Sequence, residues 1–138
     1  MIGLDSNLFV YMLEGHAEFG EAVRDIFVAI EQTRLEACAS ELVYFEVLSY
    51  PGLLSKQVTE ATALIGQLGI RYIPVSSDVL LEAARLRREC GLGALDSVHV
   101  ASALGAGCSA FITNDQALLK KAVPEIRLVA LDKAAVLL

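Results

Sequence analysis

The amino-acid sequence predicts a single α/β domain over residues 1–138, in which a parallel sheet of about five short strands carries helices on both faces. Two observations predict this fold class. Short apolar runs alternate with longer segments of helical periodicity, and no hairpin signal joins any two of the runs. Ligands of such sheets bind at the carboxyl ends of the strands, so polar residues at those ends are the first candidates for a functional site.

The predicted strands are short apolar runs bounded by polar or turn residues. The first run is stopped by Asp5-Ser6-Asn7, and the fourth ends in Thr113-Asn114-Asp115. The five runs lie at residues 1–4, 35–39, 71–75, 109–113 and 128–131.

Helices are predicted between the strands from apolar spacing and from start and stop residues. Gly15 ends the first helix, and Ser40 and the Ser76-Ser77-Asp78 segment are suited to cap the third and fifth. Pro51 is suited to the first turn of the fourth helix, and Gly107 ends the sixth. The predicted helices cover residues 7–13, 17–32, 41–49, 51–69, 78–89, 95–106 and 115–122.

The composition predicts a dense core with apolar surface left over. Hydrophobic residues make up 55% of the chain, yet no apolar run reaches the roughly 18 residues of a membrane span. We therefore expect no membrane association and assign the surplus to a subunit or partner interface. The N-terminal MIGLDSN has no basic segment, so a secretory signal is not expected. Three cysteines without a C-x-x-C pair indicate a reducing compartment, and the expected location is the cytoplasm.

The net charge of −6, from 11 basic and 17 acidic residues, is unfavourable for non-specific binding to nucleic acid. It does not exclude a nucleic-acid substrate, because some of the acids could hold divalent cations. The two histidines, His16 and His99, have no partner at zinc-ligand spacing, so a zinc site is not expected.

Three aspartates stand where a strand ends or a helix begins. Asp5 follows the first predicted strand, Asp115 follows the fourth, and Asp96 precedes the Ser-Val-His-Val segment of a helix. Each has an ordinary explanation, because Asp caps helix N-termini and the helix dipole favours an acid in the first turn. Taken singly, none of the three indicates a functional site.

Glu46 is harder to explain as an ordinary helical residue. It lies in the middle of the predicted 41–49 helix with apolar residues on both sides, so the helix is expected to be buried. A buried carboxylate is costly unless it is paired or coordinated. A salt bridge to an arginine, an escape to the rim, or a nearby cation would each satisfy it, and we favour the cation.

The four acids could converge at one edge of the sheet, where a divalent metal would offset their mutual repulsion. A ligand set made only of oxygen atoms suits Mg²⁺ or Mn²⁺ rather than Zn²⁺. Such sites serve phosphoryl chemistry, because the metal activates a water and stabilises charge on the phosphate.

Three segments carry these acids in order along the chain: LDSNLFVYML, SELVYFEVL and ALDSVHVASALGAGCSAFITND. Together they resemble the PIN-domain nucleases, in particular the small VapC-type ribonucleases of toxin–antitoxin pairs, over about residues 2–132. The family pattern opens with Asp, Ser or Thr, and Asn, as Asp5-Ser6-Asn7 does. Its helical glutamate falls on Glu46, its helix-start aspartate on Asp96 with His99 three residues on, and its Thr-Asn-Asp strand end on Asp115.

The resemblance implies a PIN-like fold with an intact active site and metal-dependent ribonuclease activity. Asp5, Asp96 and Asp115 would bind Mg²⁺, with Mn²⁺ as a substitute, and Glu46 would act directly or through water. A metal-activated water would attack an RNA phosphodiester bond, leaving a 5′-phosphate and a 3′-hydroxyl. The family also implies a homodimer and a small antitoxin partner, because its helices supply dimer and antitoxin surfaces.

Several neighbouring polar residues have two explanations. Ser6 and Thr113 could hydrogen-bond the ligand carboxylates or serve ordinary turns and caps, and the same holds for Asn7 and Asn114. His99 could position a carboxylate, although a core histidine that donates to a backbone carbonyl is the expected role. The basic residues at helix ends are expected to be solvated caps rather than RNA contacts. They are Arg85, Arg87, Arg88, Lys120 and Lys121.

Other protein classes fit the sequence less well. A haloacid-dehalogenase-type phosphatase needs a second Asp two residues after the first, where this chain has Asn7. A receiver domain needs an acid pair near the first strand, where this chain has Asp5 alone. A housekeeping RNA-processing nuclease and a non-catalytic PIN-like scaffold are the alternatives, and the presence of all four acids disfavours the scaffold.

Overall fold

The computed structural model describes residues 1–138, and its strands and helices follow the predicted order. The strands are β1 (Ile2–Leu4), β2 (Ala37–Ser40), β3 (Arg71–Ile73), β4 (Ala110–Thr113) and β5 (Arg127–Ala130). The helices are α1 (Ser6–Glu14), α2 (Gly20–Glu31), α3 (Leu42–Leu48), α4 (Ser55–Gly66), α5 (Ser77–Cys90), α6 (Ala94–Gly105) and α7 (Gln116–Leu119). A 3-10 helix, Leu131–Leu137, follows β5.

The strands form one parallel sheet in the order β3-β2-β1-β4-β5, which confirms the predicted fold class. Ile2 of β1 pairs with Ala37 of β2 on one side and with Ala110 of β4 on the other. All four strand pairings are parallel. β1 is therefore the central strand, and the residue that follows it lies between the carboxyl ends of β2 and β4.

Helices cover both faces of this sheet. Successive residues of a strand point to opposite faces, so Ile2 and Leu4 face one buried cluster and Gly3 faces the other. The cluster on the first face is formed with α1 to α4 and the 3-10 helix, and the cluster on the second face with α5, α6 and α7. None of the helices has the length and apolar character of a membrane span.

The helix predicted from Pro51 begins later than expected. Residues 51–54 are not helical, and α4 starts at Ser55, where the Gln57 side chain accepts a hydrogen bond from the Leu54 backbone N–H at 2.9 Å. This side-chain cap lies beyond the proline and sets the start of the helix. The prediction that Pro51 occupies the first helical turn is therefore wrong.

Smaller differences have local causes. β3 ends at Ile73 rather than at residue 75, because Pro74 has no N–H to donate to the sheet. α2 begins at Gly20 rather than at residue 17. The 3-10 helix was not expected, and its Leu131 and Ala134 are buried at the spacing of three residues that such helices use.

The three cysteines are free thiols. Cys38 and Cys108 are buried, and their sulfur atoms lie 3.2 Å apart, whereas Cys90 is partly exposed. The two buried thiols belong to β2 and to the segment just before β4, so they lie on the two sides of β1.

Gly3 is a position where only glycine fits without movement of α6. A Cβ atom at Gly3 would lie 2.6 Å from Cβ of Ala103 in α6 and 2.8 Å from Cδ2 of Phe111 in β4. Gly3→Ala is therefore expected to lower the free energy of unfolding by about 1–3 kcal/mol, because the helix must shift away from the sheet. Urea unfolding measures the change.

Gly105→Ala is the matched control, since Gly105 lies at the end of α6 and a Cβ there would meet nothing within 4 Å. Its free energy of unfolding should stay equal or rise by up to about 1 kcal/mol, because alanine favours the helix. If Gly3→Ala were as stable as the unaltered chain, the close packing of α6 on β1 would be refuted.

Candidate active site

The structure brings the four predicted acids together in one cleft of about 310 Å³. Asp5 follows β1, Asp115 follows β4, Asp96 lies in the first turn of α6, and Glu46 lies on α3. The cleft is lined by Asp5, Ser6, Asn7, Val10, Tyr11, Glu46, Tyr50, Asp96 and Asp115. It thus lies at the carboxyl edge of the sheet, where ligands of parallel sheets bind.

Asp5 is the most deeply buried of the acids, with 3% of its surface exposed. Its Oδ1 accepts a hydrogen bond from the Ser6 backbone N–H at 2.8 Å, and its Oδ2 accepts one from Thr113 Oγ1 at 2.6 Å. Burial raises the pKa of Asp5, although the positive charge of His99 and the two hydrogen bonds oppose that rise. Both oxygens of a buried carboxylate are therefore held by the protein.

Thr113 joins the ends of the two neighbouring strands. Its side chain is fully buried. The hydroxyl donates to Asp5, which follows the neighbouring strand β1, and accepts a hydrogen bond from the Asp115 backbone N–H at 3.0 Å. The Thr113 hydroxyl donates to Asp5, whereas the Ser6 hydroxyl donates to Glu46 and only the Ser6 backbone N–H donates to Asp5. That these bonds support metal ligands stays a prediction.

Asp115 serves as a helix cap and still lines the cleft. Its Oδ1 accepts hydrogen bonds from the backbone N–H groups of Ala117 and Leu118 at 2.9 and 3.1 Å, which caps α7. Its Oδ2 makes no hydrogen bond with the protein. Oδ1 therefore caps the helix, which is the ordinary role considered from the sequence, and Oδ2 is free to bind a ligand.

Asp96 has no hydrogen-bond donor for either carboxylate oxygen and packs over Gly93, whose Cβ position would lie 3.4 Å from Oδ2. Burial, followed by the negative charges of Asp5 and Asp115, raises the pKa of Asp96 to about 6. A half-buried carboxylate that is repelled by its neighbours and has no donor would be stabilised by a cation.

The environment of Glu46 differs from the expectation in two ways. α3 is not buried all round, because only Val43 and Val47 are buried and Phe45 is 63% exposed. Glu46 itself retains 24% exposure of its side chain, and its partner is a histidine rather than the arginine considered from the sequence. The helix is short, and only one of its faces is buried. Its many apolar residues therefore led to the wrong prediction that the whole helix is buried.

Both oxygens of Glu46 are engaged. Oε1 contacts Nε2 of His99, and Oε2 accepts a hydrogen bond from Ser6 Oγ at 3.1 Å. Burial alone would raise the pKa of Glu46, but the hydrogen bond and positive charge of His99, with the Ser6 bond, lower it below the ordinary value. Glu46 is thus ionised at neutral pH.

His99 does not have the role expected from the sequence. Its side chain is 1% exposed, its Nε2 bonds to Glu46, and its Nδ1 has no hydrogen-bond partner, so it makes no bond to a backbone carbonyl. Burial would lower the pKa of His99, but the Glu46 bond and the charges of Asp5, Glu46 and Asp96 raise it. The three-residue spacing places Asp96 and His99 on nearly the same face of α6, but nothing in the sequence signals the contact between His99 and Glu46.

These contacts make one continuous hydrogen-bonded chain across four elements. It runs from His99 to Glu46, Ser6, Asp5, Thr113 and the backbone of Asp115. The chain links α6, α3, α1 and β4 around the end of β1. Three of the four acids are thereby held in fixed relative positions, and Asp96 is the exception.

The basic residues contribute nothing to the cleft, because no lysine or arginine lines it. Arg85 is engaged by three acids on the surface, since it pairs with Glu82, with Glu89 at 2.8 Å and with Glu125 at 3.0 Å. Its expected role as a solvated cap is therefore corrected to that of an ion-paired residue. It is not a free cation for RNA.

The donor set of the cleft suits a hard divalent cation, because it consists of carboxylate oxygens without a thiol. No three His, Cys, Asp or Glu side chains converge closely enough to form a complete metal site by themselves. Asp96 and Oδ2 of Asp115 lack protein donors, whereas Asp5 and Glu46 have theirs. The unsatisfied oxygens are therefore those with which the site would recruit a cation.

Among the solved structures that share this fold are three with a TM-score of 0.68, each covering 94% of the present chain. They are a toxin–antitoxin complex from Klebsiella pneumoniae (19% identity, 96% of that chain), VapBC2 from Rickettsia felis bound to a DNA fragment from their promoter (16%, 98%) and DNA-bound VapBC from Salmonella typhimurium (17%, 97%). No curated protein matches the sequence significantly.

The family model that describes the PIN domain matches residues 2–124. The match includes all five residues that form the hydrogen-bonded chain through side-chain atoms and all four acids of the cleft. The five-stranded parallel sheet and the resemblance read from the sequence agree with this match. The chain belongs to the PIN domain family.

Proposed function

We propose that the chain is a metal-dependent ribonuclease that hydrolyses RNA phosphodiester bonds and acts as the toxin of a type II toxin–antitoxin pair. Members of the PIN domain family are nucleases. The observation that carries the proposal is the cleft at the carboxyl ends of β1 and β4, which four carboxylates line and in which Asp96 has no hydrogen-bond donor.

The proposed metal ligands are Asp5, Asp96 and Asp115, and the proposed cofactor is Mg²⁺, with Mn²⁺ as a substitute. When bound, the cation would supply an activated water and stabilise negative charge on the phosphate. Asp5 is held rigidly by Ser6 and Thr113, so it offers a fixed ligand. Asp96 and Asp115 offer oxygens that need no bond to be broken first.

Glu46 would act beside these ligands. Its lowered pKa keeps it ionised, its side chain is 24% exposed, and it lines the cleft. An ionised carboxylate at this position can accept a hydrogen bond from the attacking water and orient it toward the phosphorus atom. Hydrolysis by this route would leave a 5′-phosphate and a 3′-hydroxyl.

The proposed partners are a small antitoxin protein, a second copy of this chain and the RNA substrate. An apolar groove of about 570 Å³ between α1, α3 and α4 adjoins the cleft, and Val10 and Tyr50 line both. Phe45 and Leu54 are 63% and 67% exposed. Exposed apolar surface of this extent supports a protein partner beside the site. The similar fold from Klebsiella pneumoniae is part of a toxin–antitoxin complex, and that from Rickettsia felis is part of VapBC2 bound to a DNA fragment. The proposed location is the cytoplasm.

Asp5→Asn and Asp96→Asn are each expected to lower Mg²⁺-dependent RNA cleavage by at least about 100-fold, because each removes a charged ligand while keeping the side-chain size. Cleavage of a labelled RNA is measured with Mg²⁺, with Mn²⁺ and with chelator. Asp78→Asn is the matched control, because Asp78 is exposed and lies in the first turn of α5 as Asp96 does in α6. Retained cleavage by Asp5→Asn in a nuclease-free preparation would refute the assignment.

Asp96→Asn is expected to stabilise the metal-free protein at pH 8 by about 1–2 kcal/mol, after allowance for solvent screening of a half-buried group. The pKa of Asp96 is about 6, above its ordinary 3.8, so its favourable contribution is present below pH 4 and is lost as pH rises through 6. The gain from asparagine should therefore grow between pH 4 and 6 and level off above. Urea unfolding with chelator across this range measures it. A gain that did not change with pH would contradict the electrostatic cause.

Production of the chain in bacteria is expected to arrest growth, whereas Asp5→Asn should be harmless. Co-production of a small protein encoded beside the chain's gene should restore growth, and the two proteins should purify together. Growth curves and affinity purification provide the measurements. Harmless production of an active nuclease would instead favour the housekeeping RNA-processing alternative.

A further inference from the structure

His99 is a buried residue with a single polar contact. Its side chain is 1% exposed, and of its two ring nitrogens only Nε2 has a partner, which is Oε1 of Glu46. An unpaired Nδ1 in the interior costs free energy, and an apolar side chain at this position would avoid that cost. The contact between Nε2 and Glu46 is therefore the feature that an apolar residue could not supply.

Glu46 needs this contact because its own helix constrains it little. α3 has seven residues, and the neighbouring Phe45 is 63% exposed. A partly exposed glutamate has several side-chain rotamers, and fixing one of them costs conformational entropy. Two bonds from opposite sides oppose that freedom, one from His99 in α6 and one from Ser6 in α1.

We propose that His99 is a positioning residue that fixes the Glu46 carboxylate relative to Asp5 for the proposed hydrolysis. The Ser6 hydroxyl bonds to Glu46 while the Ser6 backbone N–H bonds to Asp5, so the two carboxylates share one anchor. His99 holds the other oxygen of Glu46 and sets the carboxylate's rotation. Nε2 carries a hydrogen both in the charged imidazole and in the Nε2–H tautomer, so the geometry serves either state. The inference rests on the proposed function, since positioning matters only if Glu46 takes part in the reaction.

The distinguishing variants are His99→Leu and His99→Gln. Leucine fills much of the ring's volume without a polar atom, whereas the glutamine amide N–H₂ can replace Nε2–H. His99→Leu is expected to lower kcat about 10–100-fold with little change in KM, and His99→Gln to recover most of the loss. Direct titration with Mn²⁺ should give an affinity within about threefold of the unaltered chain for both variants, because Asp5, Asp96 and Asp115 are unchanged. Equal kcat for His99→Leu and the unaltered chain would overturn the proposal.

Two further measurements separate positioning from a general effect on α6. If His99 acts through Glu46, adding His99→Leu to Glu46→Gln should cause little further loss of kcat, whereas losses that multiply would overturn the proposal. Ser102→Ala is the matched control in the same helix, because Ser102 is fully buried and donates only to the carbonyl of Val98 at 2.8 Å. It should leave kcat unchanged, and circular dichroism should confirm that every variant folds.

The failure of this inference can be told from failure of the proposed function. If the unaltered chain does not cleave RNA in the presence of Mg²⁺, the proposed function fails. ¹⁵N-histidine NMR then decides whether His99 holds Glu46. A downfield Nε2–H signal of His99 that moves on Glu46→Gln, but not on Ser102→Ala, supports the contact, and a signal that ignores Glu46→Gln overturns it.

Discussion

The buried carboxylate of Asp5 at the end of the central strand is the constraint around which the cleft is organised. β1 is flanked by β2 and β4, and the residue after Leu4, Asp5, is 3% exposed. A charge there must be met by donors. The Ser6 N–H and the Thr113 hydroxyl supply them, and the same two residues extend the contacts to Glu46 and Asp115. The hydrogen-bonded chain is thus a consequence of placing an acid at the middle of a parallel sheet.

The fold class and the position of the site follow from local patterns, which is why the sequence could predict them. Strands that alternate with helices leave a parallel sheet as the simplest arrangement, and its carboxyl edge collects the residues after each strand. Asp5 and Asp115 stand directly after strands, and Asp96 opens a helix. The positions of these three aspartates could therefore be predicted without knowing which distant residues contact them. The start of α4 was missed because a glutamine three residues into the segment, rather than the proline, caps the helix.

The pairing of Glu46 with His99 could not be predicted in the same way. The two residues are 53 positions apart, and neither a period nor a turn signal connects them. Apolar neighbours made α3 look buried, but exposure depends on what packs against it, and only one of its faces meets the core. The prediction that Glu46 belongs to the site therefore rested on an overestimate of its burial. In the structure, Glu46 lies in the cleft because Ser6 of α1 and His99 of α6 bond to its two oxygens.

The absence of lysine and arginine from the lining of the cleft has a thermodynamic consequence. The protein offers the phosphate of an RNA no lysine or arginine in the cleft, so in the proposed reaction the cation would supply that attraction as well as the chemistry. Binding of metal and binding of RNA are then linked, and each raises the affinity for the other by the same factor. An acidic protein of net charge −6 would in this way hold its substrate only when the metal is present. In the proposed reaction, the repulsion among the carboxylates would therefore make the availability of metal a condition for recognition of the RNA.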